Sequence, residues 1–231
     1  MKKKITVAID GPSGSGKSTT ARLSAKQLSY TYIDTGAMYR AITLHILNQN
    51  VPLKKTNKIV QEAAEVQIQF TRTGDQLEVL LDGKNVTDKI REPSIDKAVG
   101  QVSEIPGVRA ILVNLQRSLA EDGGVVMEGR DIGTRVFPNA DLKFFMDADL
   151  ETRAKRREQQ LLEQGIEMDF ETVKQEIINR DKRDSEREES PLRAAKDAIL
   201  IDTTNLSIDE QVQMIVQHVK EKELEEVTLN E

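Results

Sequence analysis

Short continuous runs of apolar residues alternate along this chain with longer stretches that have a helical period. The short runs predict buried strands over residues 5–9, 32–34, 125–127, 142–146 and 198–202. The periodic stretches predict helices over residues 20–29, 107–121 and 169–188, one that ends near Asn48, one that carries Arg153, and one that begins at Ser207. Strands that alternate with helices predict an α/β fold whose parallel sheet is covered by helices on both faces.

Residues 53–105 depart from this alternation. A helix that Thr56 can cap is followed by two strands, Val66–Phe70 and Leu77–Leu81, with a turn at 72–75 between them. A hairpin of this kind is foreign to a βαβ chain. We therefore predict a small inserted α+β subdomain over about 53–100, which either covers a second substrate or is an insertion without a function.

The first strand ends in a glycine-rich turn that opens a helix. Gly11, Gly16, Lys17 and Ser18 fit the pattern G-x-x-x-x-G-K-[ST]. Glycines let successive backbone N–H groups turn towards a phosphate, the lysine carries charge to it, and the serine hydroxyl can bind Mg²⁺. The predicted nucleotide-phosphate site comprises Gly11, Pro12, Ser13, Gly14, Ser15, Gly16, Lys17, Ser18 and Thr19. The alternative is an ordinary turn between a strand and a helix.

The composition restricts the classes of protein to which the chain can belong. Of its 231 residues 38% are hydrophobic and 31% are charged, which suits a globular α/β protein with a substantial core. No run approaches the roughly 20 apolar residues of a membrane span. The absence of cysteine excludes disulfides and is consistent with a cytoplasmic protein. A net charge of −6 argues against general affinity for nucleic acid.

Two further segments follow predicted strands directly, namely Thr35–Arg40 and Gly129–Asp131. Ligands of parallel α/β sheets bind beyond the carboxyl ends of the strands, so both segments are expected at the same edge as the glycine-rich turn. Arg40 and Arg130 are therefore candidate anion-binding residues. For the first segment taken alone, a helix cap at Thr35 and a surface arginine explain the pattern equally well.

Arginines also recur at helical spacings near the end of the chain. Arg180, Asp184 and Arg187 are four and then three positions apart and are predicted to share one helix face, and Arg153, Arg156 and Arg157 can also converge. One explanation of both sets is that their side chains form ion pairs on solvent-exposed helix faces. The other is charge neutralisation between two phosphorylated substrates, because transfer of a γ-phosphoryl group to a phosphate acceptor brings two polyanions together. Asp184 is then a candidate acceptor for ribose hydroxyls.

Four motifs together resemble the bacterial cytidylate kinase family. They are IDGPSGSGKST at 9–19, DTGAMYRA at 34–41, EGRDIGT at 128–134 and RDKRDSER at 180–187. The resemblance implies a single three-layer phosphate-loop kinase domain over 1–231, with a five-stranded parallel sheet, the inserted monophosphate-binding subdomain and a helical lid at 153–188. It also implies transfer of the γ-phosphoryl group of ATP to CMP or dCMP with Mg²⁺, by a cytoplasmic monomer without a nucleic-acid or membrane partner.

Carried over residue by residue, the resemblance assigns a role to each candidate. It assigns the phosphate of CMP to Thr35, Arg40, Arg130 and Arg187, the cytosine to Arg109 and Asp131, and the ribose to Arg180 and Asp184. It assigns charge stabilisation in the transfer to Lys17, Arg130 and Arg187, with Arg153 and Arg157 as lid arginines over the ATP phosphates. Ser18 is the predicted Mg²⁺ ligand beside ATP phosphates and water. Cytosine offers an amine to an acceptor such as Asp131, and its N3 and O2 accept from a donor such as Arg109.

Two positions depart from the family pattern. Thr35 stands where some members have serine, which keeps the hydroxyl. Gly100 stands where the family usually has a serine near the cytosine amine, so Gln101, Ser103 or a backbone carbonyl has to replace it. A phosphate-loop kinase with another nucleotide or a shikimate-like acid as acceptor remains the alternative. A GTPase would need N-K-x-D, but Asn57–Lys58 is followed by Ile59–Val60.

Overall fold

A computed structural model describes residues 4–73 and 76–228. Its strands are β1 (Thr6–Asp10), β2 (Thr31–Asp34), β3 (Ile68–Thr73), β4 (Gln76–Leu81), β5 (Lys84–Asn85), β6 (Val125–Gly129), β7 (Leu142–Asp147) and β8 (Ile199–Asp202). Its α-helices are α1 (Lys17–Leu28), α2 (Thr35–Asn48), α3 (Thr56–Glu65), α4 (Pro93–Ser103), α5 (Pro106–Ser118), α6 (Leu150–Glu163), α7 (Phe170–Glu186) and α8 (Ile208–Thr228). A 3₁₀ turn at Lys89–Arg91 and a π-helical turn at Ile132–Val136 complete the described elements.

The larger sheet confirms the predicted fold class. Its five strands lie in the order β2-β6-β1-β7-β8. The pairings of β1 with β6 and with β7, and of β7 with β8, are parallel. Asp10 at the end of β1 is opposite Gly129 at the end of β6, so the segments that follow these two strands leave the sheet side by side.

Two compact units make up the chain. The first comprises residues up to Ile33 and from Ala120 onwards. Its apolar core joins β1 and β7 to helices α1 and α8, through fully buried side chains such as Ile9, Phe144 and Ile215. Helix α8 begins with the predicted capping box, in which the N–H of Glu210 donates to the Ser207 hydroxyl and the N–H of Ser207 donates to the Glu210 carboxylate.

Helices α6 and α7 of the first unit form a hairpin with an apolar core of its own. Ala154 and Leu161 of α6 pack with Val173 and Ile177 of α7, and all four are buried. Both helices begin at an aspartate whose carboxylate accepts a backbone N–H three residues later, at Asp149 and at Asp169. The predicted lid segment, 153–188, lies within this helical hairpin and the residues that follow it; its role as a lid stays a prediction.

The second unit, Asp34–Leu119, contains the predicted hairpin. Strands β3 and β4 pair antiparallel with Phe70 opposite Val79, and β5 extends the sheet. The predicted turn includes Gly74 and Asp75, which lie outside the described residues. Helix α2 packs against α3 and α4, and α5 packs against the same two helices. The assignment of 53–100 as a monophosphate-binding subdomain stays a prediction.

Two local predictions and one alternative were wrong. Helix α3 has Lys55 at its N-cap position without a side-chain hydrogen bond, so Thr56 is its first residue and does not cap it. Helix α2 is capped by Asp34, whose carboxylate accepts the N–H of Ala37, and Thr35 is its first residue. Helix α7 ends at Glu186, and Arg187 follows with an extended backbone (φ −60°, ψ 140°), so Arg187 does not share a helix face with Arg180. In the part of the chain that the structure describes, no helix is long and apolar enough to cross a membrane.

Candidate functional site

The glycine-rich turn after β1 closes tightly against its surroundings. Gly11 and Gly14 have positive φ angles of 156° and 78°. A Cβ on Gly11 would lie 2.0 Å from the carbonyl oxygen of Met146, and one on Gly14 would lie 2.8 Å from that of Arg153. Both the backbone conformation and the space therefore require glycine at these two positions.

Lys17 lies at the start of α1 with its ammonium group turned into the loop. The side chain is buried, and its Nζ donates to the carbonyl of Pro12 at 3.0 Å and lies 4.0 Å from a carboxylate oxygen of Glu128. Glu128 itself accepts the hydroxyl of Tyr32 at 2.9 Å. Ser18 and Thr19, in contrast, are exposed at the first turn of the helix. The ammonium group thus lies within the loop, and two hydroxyl-bearing residues are exposed at the start of the helix. This arrangement agrees with the phosphate-loop motif.

Arg130 follows β6 and lies beside this loop because β6 pairs with β1. Its Nε donates to a carboxylate oxygen of Asp184 on α7 at 3.0 Å, and the two side chains are largely buried. Arg180, one helical turn before Asp184, places its Nε 4.0 Å from the same oxygen. The structure therefore brings Arg130 close to Asp184, which lies 54 positions later in the sequence, and to Arg180 on the same helix.

Arg187 joins the same group from beyond the end of α7. Its Nη2 lies 3.8 Å from Oδ1 of Asp131, and its Nε donates to the carbonyl of Ser190 at 2.6 Å. We call the set Arg130, Asp131, Arg180, Asp184 and Arg187 the Arg130 cluster. The cluster brings three guanidinium groups close to two carboxylates, and guanidinium groups are donors that suit a phosphate group.

The pKa of Asp184 is lower than its ordinary value of 3.8. Burial alone would raise this pKa, but the positive charges of Arg130, Arg180 and Arg187 and the hydrogen bond from Arg130 outweigh it. The carboxylate is therefore ionised wherever the chain is expected to work, and can accept hydrogen bonds from hydroxyl groups.

We expect Asp184→Asn to destabilise the chain most at neutral pH. A carboxylate whose pKa is depressed by folding contributes stability above its unfolded pKa of about 4, and this contribution is lost as the pH falls through the folded value. The free energy of unfolding should fall by about 1–3 kcal/mol at pH 7. Urea titrations of both proteins between pH 7 and pH 3 would measure it, and the difference should shrink below about pH 4.

The control is Glu186→Gln, which removes one negative charge from an exposed position of the same helix. It should leave the free energy of unfolding within about 0.5 kcal/mol of the original. An Asp184→Asn effect that is constant from pH 7 to pH 3 would show that the ion pair with Arg130 does not stabilise the fold.

The arginines of α6 differ in their surroundings. Arg153 is buried, donates to the carbonyl of Ala148 at 3.0 Å and to Asp181 of α7 at 2.5 Å, and lies 3.4 Å from the carbonyl of Ser13 in the loop. Arg157 is half-buried and donates to Gln160 within its own helix at 2.9 Å. The roles of these two arginines over ATP phosphates stay predictions.

The candidates in the second unit are held by partners within that unit. Arg40 donates to Asp96 at 2.5 Å and to the carbonyl of Ile90 at 3.3 Å. Arg109 is only 4% exposed, donates to the carbonyl of Ser103 at 3.2 Å, and lies over the ring of Tyr39 with its Cζ 5.6 Å from the ring centroid. Thr35 is buried at the start of α2.

Gly100, where the family usually has a serine, forms a hydrogen bond with Ser103. The hydroxyl of Ser103, one of the proposed replacements for a serine at Gly100, donates to the carbonyl of Gly100 at 2.9 Å. A serine hydroxyl and a backbone carbonyl thus both lie at this turn of α4. Their contact with a base stays a prediction.

Sequence reasoning gave no role to Asp10 and Glu128, and it included Arg156 only in the set of arginines that can converge on α6. Asp10 accepts the N–H groups of Ile132 and Gly133, both at 2.8 Å. Arg156 donates to the carbonyl and hydroxyl of Thr203 and lies 3.4 Å from the carbonyl of Gly14. Glu128 lies beside Lys17, as described above. The signals for Asp10 and Glu128 were their places at the ends of apolar strands and inside the motifs at 9–19 and 128–134.

A phosphate loop on the central strand, with a guanidinium cluster on the strand beside it, defines a phosphate-loop kinase. A family model described as cytidylate kinase matches residues 7–221. The chain belongs to the cytidylate kinase family, which confirms the predicted family and phosphotransferase class.

Relatives of known name cover nearly the whole chain. The cytidylate kinase of Caldicellulosiruptor saccharolyticus is 51% identical over 217 residues, which are 93% of this chain and 95% of the relative. The cytidylate kinase of Bacillus subtilis is 47% identical over 222 residues, which are 96% of this chain and 99% of the relative. A crystal structure of an uncharacterized protein from Eubacterium ventriosum is similar in fold alone, with a TM-score of 0.52 and 15% identity over 94% of this chain and 99% of that one.

Proposed function

We propose that this chain transfers the γ-phosphoryl group of ATP to CMP or dCMP and forms ADP with CDP or dCDP. Membership of the cytidylate kinase family supports the reaction. The structural observation that carries it is the pairing of Asp10 with Gly129, which sets the phosphate loop and Arg130 side by side at one edge of the sheet. Each of the two phosphorylated substrates then has its own cationic site.

The donor and acceptor sites have separate tasks. The backbone of Gly11–Thr19 and the ammonium group of Lys17 bind the phosphates of ATP, and Arg153 and Arg157 approach them from α6. Arg130 and Arg187 bind the acceptor phosphate, a role to which the family motif also assigns Thr35 and Arg40. An oxygen of the CMP phosphate attacks the γ-phosphorus in line, and the bond to the bridging oxygen of ADP breaks. Because the acceptor oxygen is already an anion, charge neutralisation and alignment are enough without a strong general base.

Recognition of the nucleoside is proposed for the remaining candidates. Asp131 accepts from the cytosine amine and Arg109 donates to N3 and O2 of the ring. Asp184 and Arg180 bind the ribose, which is consistent with the ionised state of Asp184. A uracil ring reverses the donor and acceptor at N3 and at position 4, and it would leave buried polar groups of the protein unpaired.

The proposed metal is Mg²⁺ on the ATP phosphates. The exposed hydroxyl of Ser18 is a suitable oxygen ligand beside phosphate oxygens and water. In the described residues no group of three or more histidine, aspartate and glutamate side chains could hold a metal ion, so the proposed ligand set relies on the substrate. Bound Mg²⁺ would neutralise charge on the transferred group. A monomeric state and a cytoplasmic location stay predictions.

A panel of acceptors tests the proposal. With Mg·ATP and each of CMP, dCMP, UMP, AMP, GMP and shikimate, ADP release is expected to be fastest by far with CMP and dCMP. The rate with UMP at equal low concentration should be lower by about tenfold to a hundredfold, because unpaired polar groups cost about 1–3 kcal/mol.

The result of this acceptor panel tests the base recognition, the choice of acceptor and the kinase reaction separately. Comparable rates with UMP would contradict the roles of Arg109 and Asp131 but not the kinase reaction. Faster turnover of shikimate or of a purine nucleotide would replace the proposed function. ADP release that is independent of any acceptor would indicate an ATPase.

A further inference from the structure

The last residue of β1 is a buried carboxylate with two backbone partners. Oδ1 of Asp10 accepts the N–H of Ile132 and Oδ2 accepts the N–H of Gly133, both at 2.8 Å. The side chain is 3% exposed. These two N–H groups open the π-helical turn that follows Asp131, and Asp131 gives that turn no side-chain cap. The cap is therefore supplied from the neighbouring strand, more than a hundred positions earlier in the sequence.

Burying this carboxylate in the core costs free energy, because burial disfavours its charged form. Burial raises the pKa of Asp10 to about 6, although the hydrogen bonds from Gly133 and Ile132 act in the opposite direction. The nearby charge of Asp131 raises the pKa further, and that of Arg130 lowers it. The two hydrogen bonds that Asp10 accepts offset this cost, and they hold the N–H groups of Ile132 and Gly133 in a fixed position.

The backbone that Asp10 fixes carries two residues of the Arg130 cluster. Arg130 and Asp131 directly precede the bonded N–H groups, and their side chains contact Asp184 and Arg187. On the other side, Asp10 leads directly into Gly11, where the loop has no space for even a Cβ. One side chain thus joins the start of the phosphate loop to the segment proposed to bind CMP.

We propose that Asp10 is a positioning residue, which fixes the backbone of residues 131–133 and so sets Arg130 and Asp131 relative to the phosphate loop. This inference rests on the proposed function, because the quantity that it predicts is the use of CMP. It adds to that function a group that touches neither substrate.

Asp10→Asn tests the inference. The asparagine keeps one acceptor oxygen but turns an NH₂ group towards the second N–H, so one charge-assisted hydrogen bond is replaced by a contact between two donors. The expected result is a fall in kcat/KM for CMP of about tenfold or more, with KM for ATP changed by less than about threefold. In addition, the amide proton resonances of Ile132 and Gly133 should move upfield in the variant, since both lose their bond to a carboxylate.

The matched control is Asp141→Asn. Oδ2 of Asp141 accepts the N–H of Thr6 at 2.7 Å, so this carboxylate bonds the opposite end of the same strand. Asparagine at this position can keep the bond to Thr6 through its amide oxygen, so the variant should lose little stability and keep kcat/KM for CMP within about twofold of the original. An equal fall in both variants would show that Asp10 acts on stability alone and would overturn the inference.

Gly133→Ala provides a second variant in case Asp10→Asn does not fold. A Cβ at this position would lie 3.2 Å from Cδ of Lys143 and 3.4 Å from Oδ2 of Asp10, so the side chain of Lys143 or the backbone that Asp10 bonds has to shift by a few tenths of an ångström. We expect kcat/KM for CMP to fall by about threefold or more. A folded variant at either position with unchanged constants for CMP would overturn the inference, whereas failure of the original protein to use CMP would instead reject the proposed function.

Discussion

Replacing Arg130 with alanine is expected to lower kcat for CMP by about 10³-fold at saturating substrates. An arginine on the transferred or accepting phosphate contributes about 10³–10⁵ to the rate in related reactions. Arg130 has the position for this role, because it follows Gly129 at the edge of the sheet where the phosphate loop begins. Steady-state ADP release, measured well below the melting temperature, would give the ratio.

Two further variants show whether the effect of Arg130→Ala is specific to the guanidinium group. Arg130→Lys keeps the charge but loses the planar pair of donors, so its kcat should lie between those of the alanine variant and the original. Arg22→Ala, at an exposed position of α1, should have unchanged kinetics. Alanine at 130 also removes a partner of Asp184, so a modest loss of stability is expected. A kcat within threefold of the original would show that Arg130 has a structural role only.

Lys17→Met is expected to lower kcat/KM for ATP by about 10²–10³-fold. Methionine has nearly the same length as lysine and retains its packing, but carries no charge to the β- and γ-phosphates. In the structure the ammonium group already lies inside the loop, bonded to the carbonyl of Pro12. Initial rates at varied ATP and saturating CMP would measure the effect, and binding of CMP alone should change little.

Lys143→Met is the matched control. Lys143 is an equally buried lysine that donates to a proline carbonyl and to a carboxylate, at Pro138 and Asp197. Its replacement should lower the melting temperature and leave KM for ATP unchanged within about twofold. If both lysine variants lost the use of ATP equally, the loss would reflect the fold and not the charge at position 17.

The regular elements could be predicted from the sequence because each has a local cause. Buried strands are continuous apolar runs, and prolines and capping residues mark where several helices begin, as at Pro106 and Ser207. The π-helical turn at Ile132–Val136 and the short strand β5 were not predicted. The first depends on a carboxylate from another strand, and the second has only two residues.

The sequence indicates which residues are candidates for the site, but it does not show how their side chains contact one another. The motifs made Arg130 and Asp184 candidates, whereas their hydrogen bond depends on the tertiary fold, which brings α7 close to the residue after β6. The spacing of Arg187 suggested a helix face, but the helix ends one residue earlier and the side chain reaches Asp131 from an extended backbone. Asp10 was missed because its partners become visible only when β1 and β6 are paired.

The apolar core shared by α6 and α7 has a mechanical consequence. A helical pair that buries its own contacts is expected to move as one rigid body, with bending confined to the segments at its two ends. Arg153 links the pair to the glycine-rich loop, since it donates to Asp181 of α7 and to the carbonyl of Ser13. We therefore expect any rotation of the pair to shift the loop that is proposed to bind the donor phosphates.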